Sequence, residues 1–366
     1  MAKVVQNLRG NKGEWSEVYV LFKLLGGGYL EAGNENLEAV ANIIYPIIKI
    51  IRNKVEKELA YDFSDEIVII RSNMMEVCRI PVADFISKAS ELLQFIKKGE
   101  GSSFAIPELD QFLDQCQITA LKAGSQSKAD IRVVIHDTKL MQEQEIGFSI
   151  KSQIGGTSTL LNSSEATNFI YEIQGWQPTD AEVKAINSIS DGKKIKSRTK
   201  AIIDAGGNLK FRKILSQTFE SNLVLIDSCM PKIVSEIILL YYLSGVNECS
   251  DSVIKLQETN PLQFNLSGSH KFYEYKIKRL LSDIALGMTP STVWTGVYDA
   301  TGGYIVVKDS GDILCYHVYN RNEFENYLLK NTKLDSPSST RHKYGVIYRD
   351  ENQKLFFRLN LQIRFI

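Results

Sequence analysis

Asp130 and Lys151 are the residues whose types and spacing most directly permit chemistry. Hydrolysing a phosphodiester at neutral pH is slow for side chains alone. A divalent ion can neutralise charge on the phosphate and lower the pKa of water. Mg²⁺ prefers oxygen ligands, usually one or two carboxylates with water and substrate oxygens. A lysine beside it can orient the attacking water and stabilise the charge that develops. The minimal set is two acids and one lysine on one edge of a sheet.

The segment 129–153 reads as an antiparallel strand pair that could carry such a set. Ile131, Val133 and Ile135 alternate with Asp130, Arg132, Val134 and His136. The polar stretch 139–145 turns the chain, with the turn centred near 141–142. Phe148 and Ile150 then face one way, and Ser149, Lys151 and Gln153 the other. This register puts Asp130 opposite positions near 153. Gln153 joins Asp130 and Lys151 as a candidate beside the metal or the DNA backbone.

An acid followed by a D/E-x-K strand is the PD-(D/E)XK nuclease pattern, which Asp130 and Ser149-Ile150-Lys151 resemble. Ala129 replaces the proline, which matters little. Ser149 replaces the second acid, and a hydroxyl is a poor substitute for a charged ligand. The missing acid has three candidates. Glu14 is favoured, Glu165 stands close behind and Glu17 is third. Glu14 and Glu17, three residues apart, share a helix face, and many nucleases of this pattern carry an acid on the helix before the sheet. Glu165 resembles the migrated acid of restriction enzymes cutting CCGG-containing sites. The bland alternative for Glu14 and Glu165 is a helix-start acid. For Asp130 and Lys151 it is a surface ion pair.

The elements around the hairpin follow from periodicity. Residues 1–120 read as mainly helical, with helices near 14–25, 35–60, 83–98 and 107–115 and a short strand at 66–70. Gly26-Gly27-Gly28 stops the first helix. It lacks the following G-K-[ST] of a phosphate loop. The spacing predicts helix over 179–243 and 271–287. Strands follow at 294–298, 304–308, 313–319, 344–348 and 355–361, with a helix at 322–330. Three regions result: an N-terminal helical and catalytic part (1–175), a helical, partly basic part (176–290) and a β-rich tail (291–366).

The chain has 366 residues, 44% of them apolar and 23% charged, an ordinary globular balance. No apolar run is long enough for a membrane span, and the N-terminus is too polar for a secretory signal. Five scattered cysteines form no C-x-x-C pair, so neither zinc nor a disulfide framework is indicated. They fit a reducing cytoplasm. Lys plus Arg equals 43, as does Asp plus Glu. Zero net charge leaves room for one basic face. From 193 to 213 there are eight basic residues against one acid, Asp204.

Longer stretches narrow the reading. Gly10-Asn11-Lys12-Gly13-Glu14-Trp15-Ser16-Glu17-Val18-Tyr19 resembles the N-terminal segment of the HpaII family of type II restriction endonucleases. Gly147-Phe148-Ser149-Ile150-Lys151-Ser152-Gln153, with Thr167-Asn168-Phe169-Ile170-Tyr171, is similar to its central block. Arg341-His342-Lys343-Tyr344-Gly345 and the closing Leu359-Asn360-Leu361-Gln362-Ile363-Arg364-Phe365 are similar to its C-terminal block. The resemblance spans residues 10 to 365. It implies an α/β fold with a PD-(D/E)XK core of mixed sheet flanked by helices, and Mg²⁺-dependent cutting of double-stranded DNA. It also implies a short palindromic target, CCGG the first guess, a cytoplasmic prokaryotic setting and a companion DNA methyltransferase. Symmetry of the target implies a homodimer on DNA.

Contacts to DNA have their own candidates. Lys193, Lys194, Lys196 and Arg198 could bind phosphates, which give affinity with little sequence information. A solvated charged loop is the alternative. Arg341, His342 and Lys343 follow a loop and precede a strand, and an arginine can read guanine O6 and N7. Asn168 is a further candidate, with a structural role as its alternative. Two other functions stay open on the same fold: a DNA-binding protein that lost cleavage through Ser149, and a structure-selective repair nuclease.

Overall fold

The 129–153 hairpin forms, but in a shifted register. In the computed structural model, which describes residues 8–53, 58–122, 129–137 and 142–366, Asp137 pairs with Gln142 and Ile131 with Phe148. The connection is therefore shorter than the polar stretch 139–145 implies, and residues 138–141 lie outside the described set. Asp130 comes level with Ser149 rather than with 153, and its N–H donates to the Phe148 carbonyl at 2.8 Å. Part of the polar run is strand, because Glu143 and Glu145 keep their side chains in water there.

Along the chain the elements are β1 (Arg9–Gly10), α1 (Lys12–Gly27), β2 (Tyr29–Gly33), β3 (Ala39–Asn53), β4 (Glu58–Ser64), β5 (Ile67–Ser72), β6 (Met75–Pro81), α2 (Val82–Lys98), β7 (Phe104–Ala105), α3 (Asp110–Gln115), β8 (Ile131–Asp137) and β9 (Gln142–Ser152). Then come β10 (Thr159–Leu161), β11 (Asn168–Gln174), α4 (Asp180–Asn187), α5 (Lys194–Asp204), β12 (Asn208–Ile214), α6 (Gln217–Ile226), α7 (Met230–Ser244), α8 (Cys249–Thr259) and α9 (Phe272–Leu286). The chain closes with β13 (Gly303–Val307), β14 (Ile313–His317), α10 (Arg321–Lys330), β15 (Thr332–Leu334), α11 (Ser339–His342), β16 (Ile347–Arg349), β17 (Leu355–Asn360) and β18 (Ile363–Phe365). The fold is mixed α/β.

Two compact units result. One takes residues 1–158 and 298–327, the other 159–297 and 328–366. Sequence boundaries had been expected near 175 and 290. The tail strands are shared out: β13 and β14 enter the first unit, and β15 to β18 the second.

In the first unit nine strands run in the order β2-β14-β13-β9-β8-β3-β4-β5-β6, and β2 also pairs with β3. Parallel pairings (β9 with β13, β14 with β2) sit among antiparallel ones, so the sheet is mixed. Helix α1 starts at a capping box. The Asn11 side chain accepts from the Glu14 N–H while the Glu14 carboxylate accepts from the Asn11 N–H. It ends at Gly28 in the left-handed region, φ 73°. Trp15, Val18, Phe22, Leu24 and Leu25 are fully buried, each contributing about 1.5–3 kcal/mol. Gly26 permits the close approach of α2: a Cβ there would lie 2.9 Å from the Ile86 side chain.

Several expectations need correction. The helix read over 35–60 is, where described, a turn followed by strand β3 and the start of β4, because Ile43-Ile44-Tyr45-Pro46-Ile47-Ile48 is β-branched, aromatic and proline-interrupted. The span 1–120 is thus as much sheet as helix. The helix over 179–243 is broken by Gly206-Gly207 and by strand β12, so Lys210, Arg212 and Lys213 ride on a strand. Residues 294–298 form no strand. Strands β10 and β11 and helix α8 were not anticipated.

In the second unit β11 lies between β12 and β17 in a four-stranded sheet, and β10, β18 and β15 form a three-stranded one. Six of the seven residues of β11 are buried. Such a run lacks the alternation by which half-buried strands are read.

Candidate active site

Asp130 stands immediately before β8 and is held from β9. Its Oδ2 accepts from the Ser149 hydroxyl at 3.1 Å and the Ile150 N–H at 2.7 Å. Its Oδ1 has no hydrogen bond among the described residues. Lys151, two residues along β9 on the Ser149 side, carries its Nζ 5.2 Å from the centre of the Tyr304 ring. Tyr304 is buried on β13, directly beside Ser149.

Glu17 completes the group from α1. It is half-buried and has no hydrogen bond or ion pair among the described residues. Burial pushes its carboxyl up to about 8, with the Asp130 carboxylate adding to the rise and Arg52 and Lys122 opposing it. Lys151 is moved the other way: burial pulls it down from the ordinary amine value, while Asp130 and Glu17 hold it up. Two acids and one lysine therefore share one electrostatic environment. Helix α1 is tied to β9 at this point by a Ser16–Ser152 hydroxyl contact of 2.9 Å.

Glu17 and Lys151 line a cleft of about 630 Å³, together with Lys12, Glu14 and Lys122 among others. Glu14 reaches it with one carboxylate oxygen committed to the helix cap (2.9 Å from the Asn11 N) and the other 3.7 Å from Lys122 Nζ. Gln153 lies past the end of β9, with its N–H on the Val307 carbonyl, and its side chain is not part of the lining. Glu165 belongs to the second unit, where it opens a short 3-10 turn and pairs with Lys343 at 2.8 Å.

The sequence placed Glu17 last of three acids, although the Glu14-x-x-Glu17 spacing was the available signal. Arg52 and Tyr304 gave none, being far away in sequence. Arg52 is buried; its Nη2 donates to the Ala120 and Leu121 carbonyls, fixing the turn that carries Lys122. Its Nη1 has no partner among the described residues.

The basic candidates sort differently. Lys193, Lys194 and Lys196 surround a second cavity of about 370 Å³ with Tyr241 and residues 336–340. Lys196 lies 4.0 Å over the Tyr241 ring, and burial, helped by Lys193, lowers its pKa. Arg198 is buried and spends its donors on the Ile189 and Gly345 carbonyls at 2.6–3.0 Å. In this structure these bonds hold it inside the fold rather than on a surface. Arg341 is exposed and has no side-chain partner among the described residues. His342 contacts the Ser163 hydroxyl at 3.1 Å. Asn168 is fully buried with both ends of its amide engaged, behind the 339–343 turn and away from any surface.

A family model of the HpaII restriction endonuclease matches residues 11–365. The type II restriction enzyme HpaII of Haemophilus parainfluenzae is 46% identical over 361 residues, covering 98% of this chain and 98% of that protein. The chain belongs to the HpaII restriction endonuclease family. No solved structure matches it. Membership of this family makes the chain a type II restriction enzyme, a site-specific deoxyribonuclease whose substrate is DNA. Enzymes of this type generally use a divalent metal ion. Among the described residues no helix is long and apolar enough to cross a membrane, and no three His, Cys, Asp or Glu residues converge as a metal cage. Two carboxylates without a cage suit an ion that keeps water and substrate oxygens as its other ligands.

Proposed function

We propose that this member of the HpaII family cuts both strands of a short palindromic DNA site, CCGG first, with Mg²⁺ held by Asp130 and Glu17 in a PD-(D/E)XK core. The observation that carries the reading is the convergence of two acids, Asp130 and Glu17, on one half-buried lysine. Burial, with the Asp130 charge adding to it, raises the Glu17 carboxyl, and such perturbed groups cluster where chemistry is done. A divalent ion, when bound, supplies charge neutralisation at the scissile phosphate. Glu17 is now favoured over Glu14, which caps its helix, and over Glu165, which pairs with Lys343.

The protein's own residues do the rest. Ser149, in the position of the pattern's second acid, orients the Asp130 carboxylate by donating to it. The Ile150 N–H fixes the same oxygen, leaving the other free to act as a ligand. Lys151 donates a hydrogen bond to the attacking water or to a non-bridging phosphate oxygen, against the field of Asp130 and Glu17. The Tyr304 face packs beneath its ammonium group and limits its rotamers. Lys193, Lys194 and Lys196 contact phosphates, and Arg341, with His342 and Lys343 beside it, faces the bases. Cutting both strands of a palindrome calls for a homodimer on DNA, and host DNA would need a methyltransferase acting on the same site. A cytoplasmic location is part of this reading.

Plasmid digestion with and without Mg²⁺, followed by sequencing of the ends, tests it. Discrete fragments with CCGG at their ends are expected. Smearing would favour a structure-selective nuclease. No cutting in Mg²⁺, while Mn²⁺ or Co²⁺ supports it, would overturn the choice of metal.

A further inference from the structure

The second unit spends an unusual amount of buried polarity on one short turn. Thr167, Asn168 and Asn360 are each at most 1% exposed. Asn168 and Asn360 face each other across the β11–β17 pairing, where the Asn360 amide donates to Asn168 Oδ1 at 2.7 Å. The same amide donates to the Ser164 carbonyl at 2.8 Å, and the Thr167 hydroxyl lies 3.3 Å from Asn360 Oδ1. The Asn168 amide donates in turn to the His342 carbonyl at 2.8 Å. That last bond leaves the sheet and ends on α11.

Apolar side chains would hold β11 against β17 equally well. A fully satisfied polar cluster adds direction instead, because each hydrogen bond tolerates little displacement. What it directs is the end of a helix of four residues, too short to hold itself. Two further bonds act on the same turn. The His342 ring meets the Ser163 hydroxyl at 3.1 Å, and the next residue, Lys343, sits at φ 50° in the left-handed region. Between these restraints, Arg341 points its guanidinium outward, exposed and without a partner among the described residues.

We propose that Asn168 is a positioning residue for sequence readout: through the His342 carbonyl it fixes the turn that presents Arg341 to the DNA bases. This rests on the reading of Arg341 as a base contact given above. A bidentate arginine–guanine pair discriminates only when the side chain's origin is fixed, whereas contacts to phosphates do not need such precision. Loss of Asn168 should therefore lower specificity while leaving non-specific affinity alone.

The test measures dissociation constants of the full chain in Ca²⁺ for a duplex carrying CCGG and for a duplex of scrambled sequence. Asn168→Ala is expected to reduce the ratio of the two by about tenfold, with affinity for the scrambled duplex changed less than twofold. Ser163→Ala touches only the half-buried hydroxyl, will fold if Asn168→Ala does not, and should lower the ratio about threefold. Arg341→Ala is the benchmark, with a fall of about 10–100-fold. If Asn168→Ala or Ser163→Ala lowers only the melting temperature and keeps the ratio, the positioning role is overturned. If Arg341→Ala also keeps the ratio, the base contact itself fails, which separates the two failures.

Discussion

Two polar clusters, one in each unit, solve opposite problems. Around Asn168 every buried amide and hydroxyl finds a neutral partner, and the groups hold one another still. Around Asp130 two acids and a lysine are brought together, and burial with the Asp130 charge makes one of the acids keep its proton. Glu17 has no hydrogen bond among the described residues and its carboxyl is pushed up to about 8. Perturbed groups of this kind are enriched where something else is to be bound. On the reading proposed above, the satisfied cluster serves architecture and the unsatisfied one chemistry. The difference can be tested by removing one member of each.

The largest effects belong to the first unit. Lys151→Ala and Asp130→Asn are each expected to lower the rate of DNA cleavage by about 10³-fold or more, the scale of losing a preorganised electrostatic contact. DNA binding in Ca²⁺ should stay within a few-fold for Lys151→Ala. Normal cutting by Lys151→Ala, measured in single turnover, would remove it from the site. Glu17→Gln should approach the same loss. If Glu17→Gln cuts normally and Glu165→Gln does not, the migrated acid of the sequence reading is restored.

How much of this was legible beforehand follows from locality. The hairpin, its polar face and Asp130 with Lys151 were readable because alternation is a local signal. Its register was not, since it depends on a connection whose length the polar run concealed. Helix α1 was readable from its caps and periodicity. Strand β3 was missed because a long apolar run also suits a helix. Glu17 carries the same local signal as Glu14, and only the packing of α1 on β9 separates them. Tyr304 lies more than 150 residues from Ser149 in the chain, and no pattern links partners across that distance. In the second unit, β11 is buried on both faces and lacks alternation, so the sequence left open whether Asn168 is structural or meets DNA, and its burial was not readable.

A middle-sized effect separates the clusters by pH. The Glu17 carboxyl is raised from the ordinary carboxylate range to about 8 in the folded chain. Between these values the folded state holds a proton that the unfolded state has lost, so stability falls as pH rises through that window. The contribution is fully present below the unfolded value and gone above about 8. Without metal, the melting temperature of the wild type should therefore fall from pH 5 to pH 9 more steeply than that of Glu17→Gln. Parallel curves would sink this account of Glu17. The neutral amide cluster has no such slope, and Asn360→Ala should cost a pH-independent 1–3 kcal/mol or so by leaving buried partners unsatisfied, read by urea unfolding.

The smallest effect is the sharpest test of the contrast, because it falls on two residues of one helix. Glu14 lies one turn before Glu17, but its carboxylate closes the capping box with the Asn11 N–H. Its negative charge is already compensated, by a backbone donor and the positive end of the helix. Glu14→Ala should then cost about 1 kcal/mol of stability and leave cleavage within about tenfold, since the exposed Lys122 loses only a distant partner. Asn11→Ala should match it in stability and leave cleavage unchanged, because the two substitutions open the same box from opposite sides. Should Glu14→Ala abolish cutting in a chain whose unfolding midpoint matches that of Asn11→Ala, the cap would be incidental. The metal-binding acid would then be the first glutamate of the helix, and the raised carboxyl of Glu17 would need another cause.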